Sequence, residues 1–321
     1  MSAAGPLGVG LLGLGTVGSA VGRAFADRAK RIDAAAGRPV RLIAAAVRDP
    51  GKDRDAGGVP VVRDPFAILD DPHIGIVVEV IGGHQPAVDL LGAAFERGKH
   101  VVTANKEALA KEWNALHETA RGSKRELRYE AAVGGAVPVI RGIRDLGAVR
   151  PRVLRGMLNG TTTYICSRLD AGVSFADALA EAQAMGYAEA DPTNDIDGLD
   201  AAYKLSILVS LLEGRHFHPD LVRRVSLRSA TPADAGAAAA RGMRLRYLAV
   251  ADFGAKATKC RVGPEEVPGG SLEGQATGPT NVIRLESDLA GILTWSGPGA
   301  GGDATASAIL ADVIAIARSA K

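Results

Sequence analysis

The segment from Gly186 to Lys204 concentrates side chains that can bind an ammonium group and move a proton. Its acidic residues are Glu189, Asp191, Asp195, Asp197 and Asp200. Asp200 and Lys204 are four residues apart, so on a helix they share one face. Most such pairs lie on the surface and contribute little energy, but the surrounding helix is mostly apolar, which favours a cleft wall. A lysine beside carboxylates in a cleft can hold a carbonyl oxygen or relay a proton.

A second set of polar residues follows an apolar strand pattern in the first half of the chain. Val101-Val102-Thr103 leads into Ala104-Asn105-Lys106, and Ile81-Gly82-Gly83 ends the preceding strand pattern in the same way. The carboxyl ends of parallel strands form the ligand crevice of a doubly wound sheet. We therefore expect Thr103, Asn105 and Lys106 to face a cofactor or substrate, although an exposed lysine at a helix start is the alternative for Lys106.

Gly13-Leu14-Gly15-Thr16-Val17-Gly18 is a G-x-G-x-x-G motif with an apolar run before it and a helical pattern after it. The motif alone is a weak signal, but in this context it predicts a dinucleotide pyrophosphate bound at the helix N-terminus. A glycine-rich turn without a ligand is the competing interpretation.

The end of the second strand pattern is where a dinucleotide-binding domain contacts the adenosine ribose. An acidic residue there favours NAD, and an arginine favours the 2′-phosphate of NADP. Arg48 and Asp49 stand side by side at this point, with Lys52 and Arg54 close behind. Arg48 occupies the favoured position, so NADP is weakly preferred over NAD, unless these charges only solvate a loop.

A scaffold of alternating strands and helices is predicted to position these residues. The predicted strands of the first third are Leu7–Leu12, Val40–Val47, Ile76–Ile81, His100–Thr103 and Leu127–Ala131. Helical patterns separate them, including Pro86–Arg97 and Glu107–Ala120. Strands that alternate with helices indicate a Rossmann-type, doubly wound parallel sheet.

The second half of the chain has a different pattern. Ser174 and Asp177 predict a capped helix from Phe175, and Leu199–Leu212 reads as a strongly apolar helix. Strand patterns at 153–158, 245–251, 281–285 and 291–295 predict an α+β domain with a mixed or antiparallel sheet. We expect residues 1–145 with 296–321 to form the dinucleotide-binding domain, and residues 146–295 to form the substrate-binding and dimerisation domain.

Composition excludes several classes of protein. The net charge of +2 and the absence of a polybasic run argue against nucleic acid and anionic membranes as partners. No leader pattern or membrane-spanning run is present, and two cysteines give no disulfide framework, so a cytoplasmic protein is expected. Cys166 lies in an apolar helical pattern and is expected to be a buried, unreactive thiol. The acids lack calcium-loop spacing, and His216-Phe217-His218 alone does not indicate zinc.

Taken together, these motifs resemble those of homoserine dehydrogenase. The resemblance rests on the residues quoted above and on the segments Glu130–Pro138, Leu158–Thr162, Gly186–Lys204, Leu205–Leu208 and Gly297–Gly301. It covers nearly the whole chain and is weak only between about Glu213 and Gly278. The family reduces aspartate β-semialdehyde to homoserine with NADH or NADPH, on the route to threonine and methionine.

The resemblance implies roles for individual residues. Lys106 and Lys204 would be the catalytic lysines, with Lys204 holding the substrate oxygen that gains the proton. Glu189, Asp195 and Asp200 would bind the substrate amino group or orient Lys204. The implied substrate-site lining is Gly160, Thr163 and Tyr187, and the implied cofactor contacts are Gly13, Gly15, Thr16, Val17, Gly18, Arg48, Gly82, Thr103, Asn105, Lys106 and Gly301.

The resemblance also implies a monovalent cation, with sodium as the candidate, at Glu130, Val133, Gly135 and Val137, and a homodimer formed through the second domain. The chain ends soon after its terminal helix, from which we expect no threonine-sensing regulatory domain. A dehydrogenase for a diamino acid and a non-catalytic redox sensor remain as alternatives.

Overall fold

The computed structural model describes residues 5–52 and 54–319. Its strands are β1 Leu7–Leu12, β2 Val40–Ala46, β3 Val61–Val62, β4 Ile74–Glu79, β5 His100–Thr103, β6 Leu127–Arg128, β7 Pro151–Met157, β8 Arg223–Arg224, β9 Met243–Phe253, β10 Thr258–Pro268, β11 Thr280–Ser287 and β12 Ile292–Pro298. Its α-helices are α1 Thr16–Asp27, α2 Ala29–Ala36, α3 Phe66–Leu69, α4 Ala87–Glu96, α5 Lys106–Lys111, α6 Trp113–Gly122, α7 Val139–Arg144, α8 Gly160–Asp170, α9 Phe175–Ala184, α10 Thr193–Ile196, α11 Leu199–Glu213, α12 Pro232–Ala239, α13 Leu272–Gln275 and α14 Gly302–Ser319.

The chain divides into two compact units. The first comprises Met1–Ala136 together with Gly301–Lys321, and the second comprises Val137–Ala300. The domain bounds expected from the sequence, 145/146 and 295/296, lie nine and five residues from these limits. None of the described helices combines the length and apolar character that a membrane crossing requires.

The first unit contains a six-stranded sheet in the order β3-β2-β1-β4-β5-β6. Every neighbouring pair is parallel, as the alternating pattern predicts. The strand order reverses between β1 and β4, which places the ligand crevice of a doubly wound sheet at their carboxyl ends. The Rossmann-type architecture is confirmed.

Helix α14 completes the core of the first unit. Val21 of α1 and Ile309 and Val313 of α14 are fully buried and belong to one hydrophobic cluster with the strand residues Val9 and Leu11. This packing explains why the apolar pattern near the end of the chain forms a helix that belongs to the first unit.

The second unit contains a six-stranded sheet in the order β12-β11-β7-β9-β10-β8. Its pairs are antiparallel except for β8 with β10, so the sheet is mixed, as expected. Strand β10, which pairs with β9 along its whole length, was not predicted from the sequence.

Two local predictions need correction. The strand predicted over 127–131 ends at Arg128, and Glu130–Ala132 forms a 3-10 helix because the Glu130 amide donates to the Asp312 carboxylate instead of a strand neighbour, N to Oδ2 2.7 Å. The helix predicted over 107–120 is two helices, α5 and α6, which meet at Glu112. The predicted cap of α9 is confirmed, since the Asp177 amide donates to Ser174 Oγ at 3.2 Å.

Candidate active site

The glycine loop of the first unit joins β1 to α1. Gly13 has φ +106°, which favours glycine, and a Cβ there would lie 2.9 Å from the Val80 carbonyl oxygen. A Cβ on Gly18 would lie 2.1 Å from the Gly13 carbonyl oxygen, whereas a Cβ on Gly15 would meet nothing within 4 Å. Gly13 therefore packs against the backbone that follows β4, Gly18 packs against Gly13, and Gly15 leaves open space in front of the helix.

That open space lies at a helix end with unused donors. Gly15 is the N-cap of α1, and no side chain caps the helix there. Thr16 and Val17 begin the helix, so their backbone N–H groups belong to the turn that has no intrahelical acceptor. The first turn of α1 can thus accept an anionic group such as a pyrophosphate.

Arginines gather at the carboxyl ends of β2 and β3. Arg48 is exposed two residues after β2, and its carbonyl oxygen accepts from Arg63 Nε at 3.1 Å, just after the parallel neighbour β3. Arg54 Nη1 donates to the Asp49 carbonyl oxygen at 2.6 Å, while the Asp49 carboxylate accepts from the Gly51 amide at 3.2 Å. Asp49 is therefore engaged in its own turn, and the exposed cations dominate this edge. Arg63 was not singled out from the sequence.

The polar residues after β5 are tied to the end of β4. Thr103 is fully buried and its Oγ1 donates to Glu79 Oε2 at 2.6 Å. Asn105 caps α5, because its Oδ1 accepts from the Ala108 amide at 3.1 Å, and its Nδ2 donates to the Gly83 carbonyl oxygen at 2.7 Å. The next residue, Lys106, opens α5 and is half-buried. Glu79 was missed because a single glutamate closing an apolar strand carries no motif.

In the second unit, Asp200 and Lys204 form the predicted ion pair on α11. Lys204 Nζ lies 2.7 Å from Asp200 Oδ2 and 2.7 Å from the Leu158 carbonyl oxygen. The side chains are only 8% exposed for Asp200 and 12% exposed for Lys204. The ammonium group is thus held by a carboxylate and a backbone carbonyl in a largely desolvated setting.

Asn159 joins this pair to a second carboxylate. Its Nδ2 donates to Asp195 Oδ1 at 2.7 Å and to Asp200 Oδ2 at 2.9 Å, and its Oδ1 accepts from the Thr162 amide as the N-cap of α8. Burial, followed by the nearby charge of Asp200, raises the pKa of Asp195 above its usual value. Sequence reasoning quoted Asn159 within a motif but assigned it no role. Its part in the site depends on strands and helices far apart in the chain.

The other residues expected in the substrate site differ in their burial and in their hydrogen bonds. Thr161 Oγ1 donates to the Tyr187 carbonyl oxygen at 2.7 Å and lies 3.2 Å from Asp195 Oδ2. The Tyr187 side chain is exposed. Thr163 is buried and its Oγ1 donates to the Asn159 carbonyl oxygen at 2.9 Å, so its hydroxyl stabilises the start of α8. Glu189 is exposed, and its carbonyl oxygen accepts from Gln183 Nε2 at 3.1 Å.

Gly160 is the first residue of α8, and a Cβ on it would lie 3.1 Å from the Cα of Pro279. A larger residue would therefore displace either the helix start or the segment before β11. Gly301 has φ +113° and is exposed, and a Cβ there would meet nothing within 4 Å. It stands directly before α14.

The residues expected to bind a cation lie in one short stretch of the sequence. Glu130 is 3% exposed in the 3-10 helix Glu130–Ala132, and Val133 and Gly135 follow it as buried residues. Val137 begins the second unit, and its carbonyl oxygen accepts from the Val139 amide at 2.8 Å.

Cys166 is fully buried in α8, and burial raises the pKa of its thiol to about 12. The thiolate is therefore almost unpopulated at neutral pH. The expectation of a buried thiol is confirmed, and Cys166 is unsuited to act as a nucleophile.

Family profiles match most of the chain. The profile for homoserine dehydrogenase matches residues 138–314, and the profile for the homoserine dehydrogenase NAD-binding domain matches residues 13–130. Homoserine dehydrogenase from Pseudomonas aeruginosa is 40% identical over 315 residues, which cover 98% of this chain and 73% of the relative.

Solved structures agree with these matches. A homoserine dehydrogenase from Thiobacillus denitrificans superposes with a TM-score of 0.96 at 40% identity, covering 99% of this chain and 74% of that one. A hyperthermophilic archaeal homoserine dehydrogenase in complex with NADPH superposes with a TM-score of 0.81 at 25% identity, covering 96% of this chain and 97% of that one.

Proposed function

The chain belongs to the homoserine dehydrogenase family, and on that premise we propose how its residues divide the work of the reaction. The enzyme catalyses the NAD(P)-dependent interconversion of L-homoserine and L-aspartate 4-semialdehyde by hydride transfer. This activity serves threonine and methionine biosynthesis. The Asp200–Lys204 pair is the observation that carries the proposed mechanism.

The first unit holds the nicotinamide cofactor at the carboxyl edge of its parallel sheet. Gly13, Gly15 and Gly18 shape the loop, and the first-turn amides of α1 at Thr16 and Val17 receive the pyrophosphate. Gly82, Thr103, Asn105, Lys106 and Gly301 complete the proposed cofactor contacts. When bound, the cofactor supplies hydride to the semialdehyde carbon or accepts it from homoserine.

We propose that NADP is the preferred cofactor. Arg48, Arg54 and Arg63 bring guanidinium groups to the strand ends where the adenosine ribose binds, and a guanidinium pairs well with a phosphate. Support also comes from the archaeal homoserine dehydrogenase solved in complex with NADPH.

Lys204 acts at the substrate oxygen. An ammonium group has three N–H donors, and two of those of Lys204 are directed at Asp200 and the Leu158 carbonyl oxygen. The third is available to the carbonyl oxygen of the semialdehyde, which gains a proton as hydride reaches the carbon. Asp200 holds the side chain in place and stabilises its positive charge, and a positioned acid of this kind accelerates proton transfer by about 10²–10⁴-fold.

The carboxylates of Asp195, Asp200 and Glu189 recognise the ammonium group of the amino-acid substrate. Asp195 and Asp200 are fixed by the Asn159 amide, whereas Glu189 lies in an exposed segment. Gly160, Thr163 and Tyr187 line the same site. Lys106 is the second proposed catalytic lysine, placed at the cofactor edge by the Asn105 cap.

A monovalent cation, with sodium as the first candidate, is proposed at Glu130, Val133, Gly135 and Val137. A buried carboxylate and backbone carbonyl oxygens are the hard ligands that such cations prefer. Activity that rises with added NaCl at constant ionic strength, and that loses this response in Glu130→Gln, would support the site. An equal response of both enzymes would refute it.

We also propose a cytoplasmic homodimer formed through the second unit. Two free, buried cysteines suit a reducing compartment. Edge strand β12 presents alternate side chains outward, with Ile292 58% exposed, which suits contact with a second copy. Light scattering should give twice the chain mass of 33.0 kDa, and a monomer at micromolar concentration would contradict the dimer. Cell fractionation tests the compartment.

Initial rates test the proposal as a whole. The enzyme should reduce NADP with L-homoserine as the only second substrate, with a larger kcat/KM for NADP than for NAD. Turnover with a diamino acid but not with homoserine would point to the alternative dehydrogenase. Cofactor binding without turnover of any hydroxy- or diamino-acid would indicate a redox sensor.

A further inference from the structure

A buried carboxylate links the carboxyl ends of the neighbouring strands β4 and β5 in the first unit. Glu79 is the last residue of β4 and is fully buried. Its Oε1 accepts from the amides of Ile81 and Gly82, at 2.7 and 3.2 Å, and its Oε2 accepts from Thr103 Oγ1 at 2.6 Å. One side chain therefore holds the segment after β4 and the last residue of β5 together.

The direction of these hydrogen bonds is fixed by the chemistry of Thr103. The Asn105 amide donates to Thr103 Oγ1 at 3.0 Å. The single hydroxyl proton of Thr103 is then free to point only at Glu79. Three donors therefore converge on the Glu79 carboxyl group, which is the arrangement that an ionised carboxylate satisfies.

Asn105 extends the same network to the far end of the segment. Its Nδ2 donates to the Gly83 carbonyl oxygen at 2.7 Å, while its Oδ1 caps α5. Glu79 thus binds the start of the segment 81–83 and Asn105 binds its end. Gly82 and Gly83 have φ of +76° and +73°, so the segment turns in a conformation that strand pairing does not stabilise.

A carboxylate is a costly residue at this depth, and burial raises the pKa of Glu79. A core strand needs only an apolar side chain at such a position. Two of the hydrogen bonds of Glu79 instead come from backbone amides of the exposed residues Ile81 and Gly82 at the carboxyl edge, beside the reversal of strand order where a dinucleotide binds. The Glu79 carboxylate therefore fixes the backbone conformation at this edge of the sheet.

We propose that Glu79 is a positioning residue for the nicotinamide cofactor, fixing the backbone of residues 81–83 and the orientation of Thr103 where the cofactor contacts them. The inference rests on the proposed function, which places the cofactor at this edge. Glu79 acts through these groups and does not touch the reacting atoms.

Glu79→Gln tests the role with little change in size. A glutamine has one carbonyl oxygen and one NH₂ group, so it cannot accept from all three donors. We expect at least a tenfold weaker Kd for NADPH, measured by fluorescence titration of the full chain. The KM for homoserine at saturating cofactor should stay within twofold of the original enzyme.

Asp33→Asn is the matched control. Asp33 also accepts a backbone N–H, from Val40 at 2.9 Å, and pairs with Arg41, but it lies before the amino end of β2. This variant should lower the thermal midpoint and leave the NADPH Kd unchanged. A Glu79→Gln enzyme with a lower midpoint and an NADPH Kd within twofold of the original would overturn the proposal.

A second pair of variants covers the case in which Glu79→Gln does not fold. Thr103→Val removes the hydroxyl donor and should weaken NADPH binding. Thr103→Ser keeps the donor and should bind NADPH with the affinity of the original enzyme. Equal affinities in these two variants would contradict the positioning role. Failure of the original enzyme to bind NADPH saturably would instead refute the proposed function.

Discussion

Lys204 and Asp200 form an ion pair across one turn of α11, with Nζ and Oδ2 2.7 Å apart and both side chains largely buried. We expect Lys204→Met, which keeps most of the side-chain volume, to lower kcat for homoserine oxidation by about 10²–10⁴-fold because the proton-transfer group is lost. The NADPH Kd should not change. Lys111→Met is the control, because Lys111 pairs with Glu107 at the same spacing on α5, with both side chains more exposed. Comparable loss of kcat in both variants would contradict the assigned role.

Asp195→Asn should separate substrate binding from stability. Because burial and Asp200 raise the pKa of Asp195, its ionisation costs more in the folded chain than in the unfolded chain. The loss of folding free energy caused by ionised Asp195 therefore grows as the pH rises above about 3.9, the pKa in the unfolded chain, and is complete above the raised pKa of the folded chain. Asparagine avoids it, and we expect a gain on the order of 1 kcal/mol in unfolding free energy at pH 7.5, with less gain at pH 4.5.

Loss of the Asp195 charge should also raise the KM for homoserine about tenfold, since a hydrogen bond to a charged group contributes about 1.5–3 kcal/mol. Urea unfolding at the two pH values and initial rates measure the two effects. An unchanged KM for homoserine would show that Asp195 does not bind the substrate. A stability gain that increases toward acid pH would contradict the electrostatic cause.

Asn159→Ala should weaken homoserine binding because it removes the amide that donates to both Asp195 and Asp200. We expect a several-fold higher KM and a loss of about 1–2 kcal/mol of stability from the α8 cap. Ser174→Ala removes a comparable cap from α9 in the same unit and should reduce stability without changing KM. Matching KM values in the two variants would mean that Asn159 acts only as a cap.

Arg48→Ala should raise the KM for NADP by about ten- to a hundredfold and leave the KM for NAD nearly unchanged, because only NADP carries the extra phosphate. Arg121→Ala, which removes an exposed arginine in the last turn of α6, is the control for general charge effects. Parallel changes in both cofactors would show that Arg48 does not select between them.

The two cysteines should be unreactive in the folded enzyme. Burial raises the pKa of both Cys166 and Cys260 to about 12. Ellman's reagent at pH 8 should detect no fast-reacting thiol in the native protein and two per chain after unfolding in guanidinium chloride. If a thiol of the native protein reacted rapidly and activity was lost, that cysteine would have a role in the reaction.

The sequence predicted the first unit well because its signals are local. β1 and β5 follow the predicted bounds, and the glycine loop joins a strand to a helix as its motif requires. The sheet of the second unit was harder to read, and β10 was missed. Its pattern is interrupted by Arg261 and Glu265, which form an ion pair with each other on one side of the strand.

In the second unit, sequence spacing predicted the contact that lies within one helix. Asp200 and Lys204 are one turn apart on α11, so spacing alone pairs them. Asn159 and Glu79 act across long sequence separations, on Asp195 and Thr103 respectively. Each of these amide or carboxyl groups acquires its partners only through the tertiary fold, and single-sequence patterns do not contain that information.

Helix α14 gives the first unit a folding order that depends on protein synthesis. Ile309, Val313 and Ile316 fill its core with no exposed surface, yet they leave the ribosome after the whole second unit. At about 5–20 residues per second, the apolar surface that they cover waits roughly ten to thirty seconds on the nascent chain. During that interval the sheet of the first unit lacks the cover that α14 provides, whereas the second unit can fold as soon as its own residues have emerged.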